Sequence, residues 1–447
     1  MLLIGWFPLS QIQGQEMVRK LTFKEAVKIG LEKNLNLNQQ ENFLISAQVN
    51  KTSGLLAMAP NVNISGNAGR NDGNSFNQQQ GQVVNGVIDF FGANANAGLP
   101  LFNGLSNFNT YRQAVNQYEA QVQLVKRTNQ DVIRNVAFQY LTCLLDMELL
   151  EIQNQNQSTQ RQQYEQLKEQ VAAGSRAEVD LINQEFQVRN AELLALRADI
   201  TLRNDLATLA QILQIDPMEA LQLENPNWDV NLADSEVQQM EELNQLALES
   251  RGDLAQAKFN QKASQFGYQS ARGNYFPSVN LFAQYGSRYN FIQPSANFTP
   301  DNRSFSDQFF TDNKQLTYGV TFFIPIFGGF QSRNTTVRSK ILYENAKLES
   351  ENAEITVKSD VLRAYQSYHD AKKNYEATSI QLKAARLSYE LEGERFRLGA
   401  SDIVAFTLAN QNFIRAQGDF ASAAYTLMFQ KILVNYVAGT LKFEDIP

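Results

Sequence analysis

The stretch that decides the fold is NLNLNQQENFLISAQVNKTSGLLAMAP, at residues 34–60, which returns 217 positions later as RGDLAQAKFNQKASQFGYQSARGNYFP, at residues 251–277. Beyond these copies the offset becomes 225 and holds without a gap for about 100 residues. Pairs at this offset include Val136 with Val361, Tyr140 with Tyr365 and Tyr164 with Tyr389. Because such self-similarity marks repeated structural units, we expect a first repeat at 20–235 and a second at 236–441.

Each repeat carries two segments in which apolar and polar residues alternate. Ala93, Ala95, Ala97 and Leu99 alternate with Asn94, Asn96 and Gly98, and the segment from Leu316 to Ile324 behaves similarly. A period of two is typical of strands with one apolar face. It predicts strands at about 61–70, 90–99, 278–286 and 315–324, with long polar loops at 71–86 and 287–314. Periodicity alone leaves open whether lipid or a protein core covers the apolar face, but strands of about ten residues favour lipid.

Long helices follow the strands in both repeats. Residues 105–170 contain no proline or glycine, and apolar residues recur at spacings of three and four, which predicts a coiled-coil helix of about 100 Å. Residues 331–397 are the counterpart. Shorter helices are expected at 22–57, 175–214, 236–272 and 401–439, with turns at Gly174 and Gly399 and a capping box of Ser175 with Glu178. The linker at 215–233, with Pro217, Pro226 and Trp228, predicts a compact collar.

The composition excludes several classes of function. Charged residues make up 19%, the net charge is −7 and the mean hydropathy is −0.36, so there is no broad basic surface for nucleic acid. Cys143 and His369 are the only cysteine and histidine, so one chain holds no disulfide framework and no Cys- or His-based metal cluster. His369 lies in the polar helical stretch YQSYHDAKK, which favours an exposed or interface histidine over a catalytic one. The sequence therefore predicts a protein without cofactor or enzymatic activity, in which Cys143 is a small buried residue.

The membrane signals lie outside the helices. Residues 1–15, MLLIGWFPLSQIQGQ, resemble the apolar part of a signal peptide without its basic start, and a short apolar tail is the alternative. No other stretch approaches the roughly 18 apolar residues of a spanning helix. Any passage through a membrane is therefore expected to use strands.

Four strands per chain predict an oligomer. A membrane barrel closes with about eight or more strands, and an open edge in lipid leaves backbone groups unpaired. Two copies would supply eight strands, whose interior side chains fill the barrel, whereas three supply twelve and leave a bore. An open channel through the barrel would therefore require three chains rather than two.

Several motifs together resemble the TolC-like outer-membrane efflux protein family over about residues 20–441. They are the junctions LPLFNG at 99–104 and IPIFGG at 324–329, the helix-ending Pro60 and Pro277, and the turns GSRAEVDL at 174–181 and LGASDIV at 398–404. The resemblance implies a mixed α and β fold. In it, long coiled-coil helices form a periplasmic helical barrel, and a homotrimer forms a twelve-stranded transmembrane β-barrel. The junction prolines Pro60, Pro100, Pro277 and Pro325 mark the strand ends.

The resemblance also implies a function and partners. It implies a passive channel in the outer membrane of a Gram-negative bacterium, extending into the periplasm and serving a tripartite efflux pump or a type I secretion system. Implied partners are outer-membrane lipid, a periplasmic adaptor (membrane fusion) protein and, indirectly, an inner-membrane pump of RND or ABC type. Adaptor-contact candidates are Gly174, Ser175, Gly399, Ala400 and Ser401, although plain helix-stop chemistry explains these residues as well.

The periplasmic gate is where the sequence departs from the family. Asp180 matches a position at which family members carry an acid, but the corresponding positions in the second repeat are Ala405 and Leu408. Asp402 is the other gate candidate, with a solvated carboxylate at a helix N-terminus as the alternative. A structural coiled-coil protein of the periplasm or surface is the alternative function, and the sequence does not indicate the exported substrate.

Overall fold

The computed structural model describes residues 19–77, 81–218, 221–225, 238–294 and 301–445. The expected signal-peptide remnant, together with Pro226 and Trp228 of the expected collar, lies outside these residues. The chain divides into two compact units. A helical unit contains the residues up to Phe43, Val122–Gln256 and those from Glu351 onward, and a sheet unit contains Leu44–Gln121 and Ala257–Ser350. Each repeat therefore contributes to both units.

Eight main helices lie in the described residues: α1 (Phe23–Lys33), α2 (Leu35–Leu56), α3 (Ser106–Ala172), α4 (Glu178–Leu213), α5 (Met240–Ser250), α6 (Gly252–Gly273), α7 (Gln331–Arg397) and α8 (Ile403–Val437). Helical turns occur at Phe305–Asp307, Gln308–Asp312 and Phe443–Asp445. The strands are β1 (Arg19–Leu21), β2 (Asn61–Asn77), β3 (Gln82–Asn103), β4 (Leu221–Leu223), β5 (Ser278–Ile292) and β6 (Gln315–Phe323). Among the described residues, no helix combines the length and apolar content needed to cross a membrane.

The helices expected at 22–57 and 236–272 are each two helices in the structure. The break falls at Asn34 (φ −61°, ψ 120°) in the first repeat and at Arg251 (φ −70°, ψ 122°) in the second. Asn34 Oδ1 accepts a hydrogen bond from Leu37 N at 3.0 Å and so restarts the helix. The two breaks occupy the same position of the repeat, which the continuous helical periodicity did not reveal.

The sheet unit contains a four-stranded antiparallel sheet in the order β2-β3-β5-β6. β2 and β3 are much longer than expected, because residues expected in a polar loop pair instead, as Asn71 does with Ile88. β5 likewise continues to Ile292, beyond the expected end at 286. Polar strand segments lack apolar alternation, so the pattern marked only the apolar part of each strand.

The two faces of this sheet differ sharply. Val62, Ala97, Ala283 and Tyr318 form one cross-strand row, in which Val62 and Tyr318 are 72% and 76% exposed. On the opposite face amides predominate, with Asn96 Nδ2 donating to Asn63 Oδ1 at 3.1 Å. The apolar face is therefore left uncovered within the chain.

The helical unit has a continuous apolar core. Tyr140 is fully buried at its centre, where its hydroxyl donates to the carbonyls of Leu21 and Glu224 at 2.9 and 2.7 Å. These contacts link β1 and β4, which pair in parallel. Strands of three residues are too short to show a periodicity, so the sequence did not predict this pair. Cys143 is buried as predicted, and burial raises the pKa of its thiol to about 12.

Candidate functional sites at the helix turns and strand ends

The turns after the two long helices are built alike. Gly174 adopts φ 75°, and Ser175 N and Gly174 N donate to the carbonyls of Gln170 and Val171, both at 2.9 Å. Gly399 adopts φ 74°, and Ala400 N donates to Arg395 O at 2.8 Å. Both are Schellman endings, which require a left-handed residue that glycine provides without steric cost. The prediction that these glycines stop the helices is confirmed.

The capping box expected at Ser175 and Glu178 is wrong. Ser175 Oγ donates to Gln170 O at 2.9 Å, and the N-cap of α4 is Ala177, which makes no side-chain cap bond. Ser175 therefore completes the end of α3 rather than the start of α4. In the second turn Asp402 does cap α8, since its Oδ1 accepts from Ala405 N at 2.8 Å.

The fold brings the two turns together. The Arg176 guanidinium lies 4.8 Å from the Phe396 ring centre, and Phe396 stacks on Phe406 at 5.2 Å. On the second turn Ser401 Oγ donates to the Glu392 carboxylate, which also pairs with Arg395 at 3.0 Å. We call residues 174–176 and 396–402 the tip.

The acidic gate candidates are placed differently from each other. Asp180 is half-buried in the first turn of α4, whereas Asp402 is an exposed N-cap. Within the described residues, no hydrogen bond or ion pair joins the two side chains. Both side chains nevertheless lie at a helix N-terminus, Asp180 in the first turn of α4 and Asp402 at the N-cap of α8.

The four junction prolines do not share one role. Pro60 and Pro277 each directly precede a strand, and Pro325 follows β6. Pro100 instead lies within β3, where the pairing with β5 shifts between Pro100 and Phe102. Such a bulge accommodates a residue that cannot donate to the sheet.

The strand-to-helix turns depend on a left-handed conformation that the junction motifs did not predict. Gly104 and Leu105 have φ of 65° and 63°, and Gly329 and Phe330, 225 positions later, have φ of 58° and 63°. Two consecutive left-handed residues thus redirect the chain in each repeat. The equivalent positions of the two repeats could have indicated these turns. A left-handed conformation is unusual for bulky residues such as Leu105 and Phe330, however, and was not expected.

One polar contact is buried among the helices. Asp146 is 8% exposed, and its Oδ2 has no hydrogen-bond donor. Its neighbour is the carboxylate of Asp205, whose Oδ1 accepts from Gln139 Nε2 at 3.0 Å. Burial first, and then the contact with Asp205, raises the pKa of Asp146 to about 7.

Two repeats of strand pair, long helix and tip define a channel-forming protein of the outer membrane. The Outer membrane efflux protein family matches residues 30–213 and 243–430, and the chain belongs to this family. Its members are channel proteins rather than enzymes. The chain is accordingly an efflux channel located in the outer membrane and extending into the periplasm. The alternative of a structural coiled-coil protein is not supported.

Individual relatives agree with this assignment. The chain is 22% identical over 379 residues to Outer membrane protein TolC of Salmonella enteritidis. The aligned region covers 81% of this chain and 73% of that protein. It superposes on the outer membrane protein VceC of Vibrio cholerae with a TM-score of 0.81 at 13% identity, covering 93% and 96% of the two chains. For the CmeC outer membrane channel of Campylobacter jejuni the TM-score is 0.77 at 16% identity, with 95% and 88% covered. These structures share the fold.

Proposed function

We propose that three copies of this chain form one passive duct whose strands close a twelve-stranded barrel. The observation that supports this most strongly is the four-stranded sheet with its uncovered apolar face and two edge strands, β2 and β6. Neighbouring strands in the sheet are all antiparallel, so β6 of one copy can pair in the same sense with β2 of the next. Closure would pair both edges and turn the apolar face toward lipid.

The helices offer a second surface for a neighbouring copy. α4 packs within the chain through Gln184, Val188, Ala191 and Ala195, which are buried. A second heptad stripe on α4 is exposed and consists of Val179, Ile182, Phe186, Leu193, Leu196 and Ile200. α7 carries a matching exposed stripe of Ile380, Leu387, Leu391 and Leu398. Exposed seams with a and d spacing are typical of helices that form coiled coils with a partner.

A charge placed in the exposed α4 seam tests the trimer. Phe186→Glu would bury a carboxylate in the proposed interface, so the trimer should fall to monomer on unheated gels and in native mass spectrometry. Asn190→Glu adds the same charge at an exposed position outside both seams and should leave the trimer intact. A Phe186→Glu protein that remains trimeric would contradict the proposed packing.

We also propose that the tip receives a periplasmic adaptor, which links the duct to an inner-membrane pump of RND or ABC type. Gly174, Ser175, Gly399 and Ala400 are exposed there and Ser401 is half-buried, while Arg176 ties the two turns into one surface. Because Cys143 is buried, single cysteines introduced at Ser175 or Ala400 would be the reactive thiols. Each should cross-link to the adaptor in cells, whereas a cysteine at exposed Ser53 in α2 should not. Equal cross-linking at all three positions would count against docking at the tip.

The proposed gate consists of Asp180 and Asp402, repeated three times around the periplasmic mouth. Their carboxylates would give the mouth a negative charge that attracts cations. The type of inner-membrane pump, rather than these residues, would indicate the exported substrate.

A further inference from the structure

The segment at residues 301–314, which precedes β6, is held against the edge of β5 by side-chain hydrogen bonds. β6 pairs with β5 only as far as Gly286, and beyond it three amide side chains of the segment take over the backbone groups of β5. Gln308 accepts from Asn290 N at 3.2 Å and donates to Asn290 O at 3.0 Å, while Asn302 accepts from Ile292 N at 2.9 Å and donates to Ile292 O at 2.7 Å. Asn313 donates to Arg288 O at 2.8 Å. The segment therefore has a fixed place on the sheet.

Its aromatic residues lie over the apolar face. Ser287 and Tyr289 of β5 pair with Ala93 and Phe91 of β3, and all four share that face. Ser287 Oγ donates to Phe309 O at 2.6 Å, which places the segment on the same side. The Phe309 ring centre lies 5.5 Å from that of Phe91, and the Phe305 ring centre lies 5.1 Å from that of Tyr289.

The sheet itself marks the height of this contact. On the apolar face of β5 the residues from Val279 to Tyr289 span ten intervals, about 33 Å along the strand and about 25 Å when the strand is tilted by about 40°. That is the height of the apolar band of an outer-membrane barrel. In the next row on this face, Arg70 pairs with Asp89, with Nε and Oδ1 2.6 Å apart. The aromatic cluster thus lies where the apolar band meets charged residues.

The cluster leaves apolar rings uncovered. Phe305 and Phe309 stack at 5.2 Å, and Phe310 packs edge-on against Phe309 at 5.2 Å. Phe310 remains 64% exposed and Phe305 42% exposed. Beside them Arg303 and Asp312 form an ion pair at 2.6 Å. Aromatic rings beside charged pairs are typical of the membrane–water boundary, where barrels carry aromatic girdles.

We propose that Phe305, Phe309 and Phe310 form an interfacial anchor that inserts into the boundary between acyl chains and headgroups in the outer leaflet of the outer membrane. The inference rests on the proposed barrel, since the apolar face meets lipid only when the barrel is closed. The amide contacts with β5 fix the level at which the rings enter the leaflet. The anchor would therefore set the vertical position of the duct.

Depth-dependent fluorescence quenching tests this anchor in the full-length trimer. Phe310→Trp is compared with Phe76→Trp, which lies on the same face six residues beyond Arg70 and is 63% exposed in the parent. Both proteins are reconstituted in vesicles of phosphatidylcholine brominated either near the headgroup or near the chain end, and the emission of the parent, which contains Trp6 and Trp228, is subtracted. The tryptophan at position 310 should emit at shorter wavelength, lose emission mainly to the shallow bromines and resist aqueous iodide. The tryptophan at position 76 should lose emission to iodide alone.

Quenching at position 310 by iodide and by neither lipid would overturn the anchor. Protection from iodide and from both lipids would also overturn it, because a neighbouring protomer would then cover the ring. Two measurements on the parent in the same lipid test the proposed function independently of the anchor: unheated gels show whether it is a trimer, and conductance shows whether the trimer forms a channel. A parent that inserts as a conducting trimer while position 310 faces water would refute the anchor alone, and a parent that fails to insert would refute the proposed function.

Discussion

The guanidinium of Arg176 lies 4.8 Å from the ring centre of Phe396, so the turn that ends α3 contacts the turn that ends α7. Phe396 is itself stacked on Phe406 of α8. One cation–π contact of about 0.5–2 kcal/mol therefore joins equivalent turns of the two repeats. Any partner that binds the tip would meet both turns as one surface.

Removing this contact should loosen the tip locally. We expect Arg176→Ala to speed amide hydrogen exchange at residues 174–176 and 396–402 by about 2- to 10-fold, as the loss of about 0.5–1.4 kcal/mol implies. Arg176→Lys retains a cation and should have a smaller effect, while Arg161→Ala, at an exposed position of α3, should have none at the tip. Unchanged exchange in Arg176→Ala would show that the turns are held together by other contacts.

The two strand-to-helix turns provide a matched pair of glycine substitutions. Gly104 and Gly329 occupy the same repeat position with similar positive φ. A Cβ at Gly104 would lie 2.3 Å from Gly273 O, whereas a Cβ at Gly329 meets nothing within 4 Å. Gly329→Ala should therefore cost only the left-handed conformation, about 1–2 kcal/mol. Gly104→Ala adds a clash between the new Cβ and the backbone of Gly273 and should cost roughly 1–3 kcal/mol more.

The yield of heat-resistant trimer and its thermal midpoint measure this difference. We expect Gly329→Ala to assemble with a modestly lower midpoint and Gly104→Ala to assemble poorly. Similar behaviour of the two variants would mean that the approach of Gly104 to Gly273 is not close in the folded trimer.

Asp146 predicts a pH dependence of stability. An aspartate titrates near 3.8 in the unfolded chain, and the pKa of Asp146 is raised to about 7 in the folded chain. The folded state therefore binds more protons between about pH 4 and pH 7, and the stability present below that window is lost as the pH rises through it. Asp146→Asn removes the ionisable group while keeping its shape. At pH 8 the variant should exceed the parent by on the order of a few kcal/mol.

Thermal unfolding of the helical signal from pH 4 to pH 8 checks this expectation. The parent should lose stability across the window, Asp146→Asn should lose less, and Asp419→Asn, at an exposed position of α8, should follow the parent. Parallel curves for all three proteins would show that the buried carboxylate does not govern the response.

The gate candidates predict an effect on ion selectivity. Asparagine caps helices about as well as aspartate, so Asp402→Asn should remove the charge and preserve the α8 cap. Combined with Asp180→Asn, it should reduce the preference of the duct for cations, seen as a smaller reversal potential in a salt gradient. Asn183→Asp, which adds a carboxylate on exposed α4 surface, is a control for general charge effects. A reversal potential that responds to Asn183→Asp but not to the double substitution would place the selective region elsewhere.

The sequence indicated the large features of the fold because they repeat or extend over many residues. Offsets of 217 and 225 located two repeats, and unbroken apolar spacing located α3 and α7 close to their observed ends. Features held by only a few residues escaped. The breaks at Asn34 and Arg251 interrupt neither periodicity nor composition, and the pairing of β1 with β4 depends on contacts between distant parts of the chain.

The tip shows why local motifs mislead. Ser175 and Glu178 match a capping box, but Ser175 Oγ donates to the Gln170 carbonyl of α3 instead. Asp402 caps α8, in agreement with the alternative of a carboxylate at a helix N-terminus, and its gate role stays a prediction. The Arg176–Phe396 contact joins residues 220 positions apart, and no pattern within either turn could predict it. Gly174 and Gly399 were predictable because helix endings of this type need a left-handed residue.

Conductance of the purified protein in planar lipid bilayers tests the central claim most directly. Trimers added to one side should insert and produce uniform conductance steps that persist without nucleotide or any second protein, as a passive duct requires. Phe186→Glu should insert rarely, and Asn190→Glu should behave as the parent. Purified trimer that binds the bilayer without conducting, or a monomer that conducts in the same steps, would contradict the account.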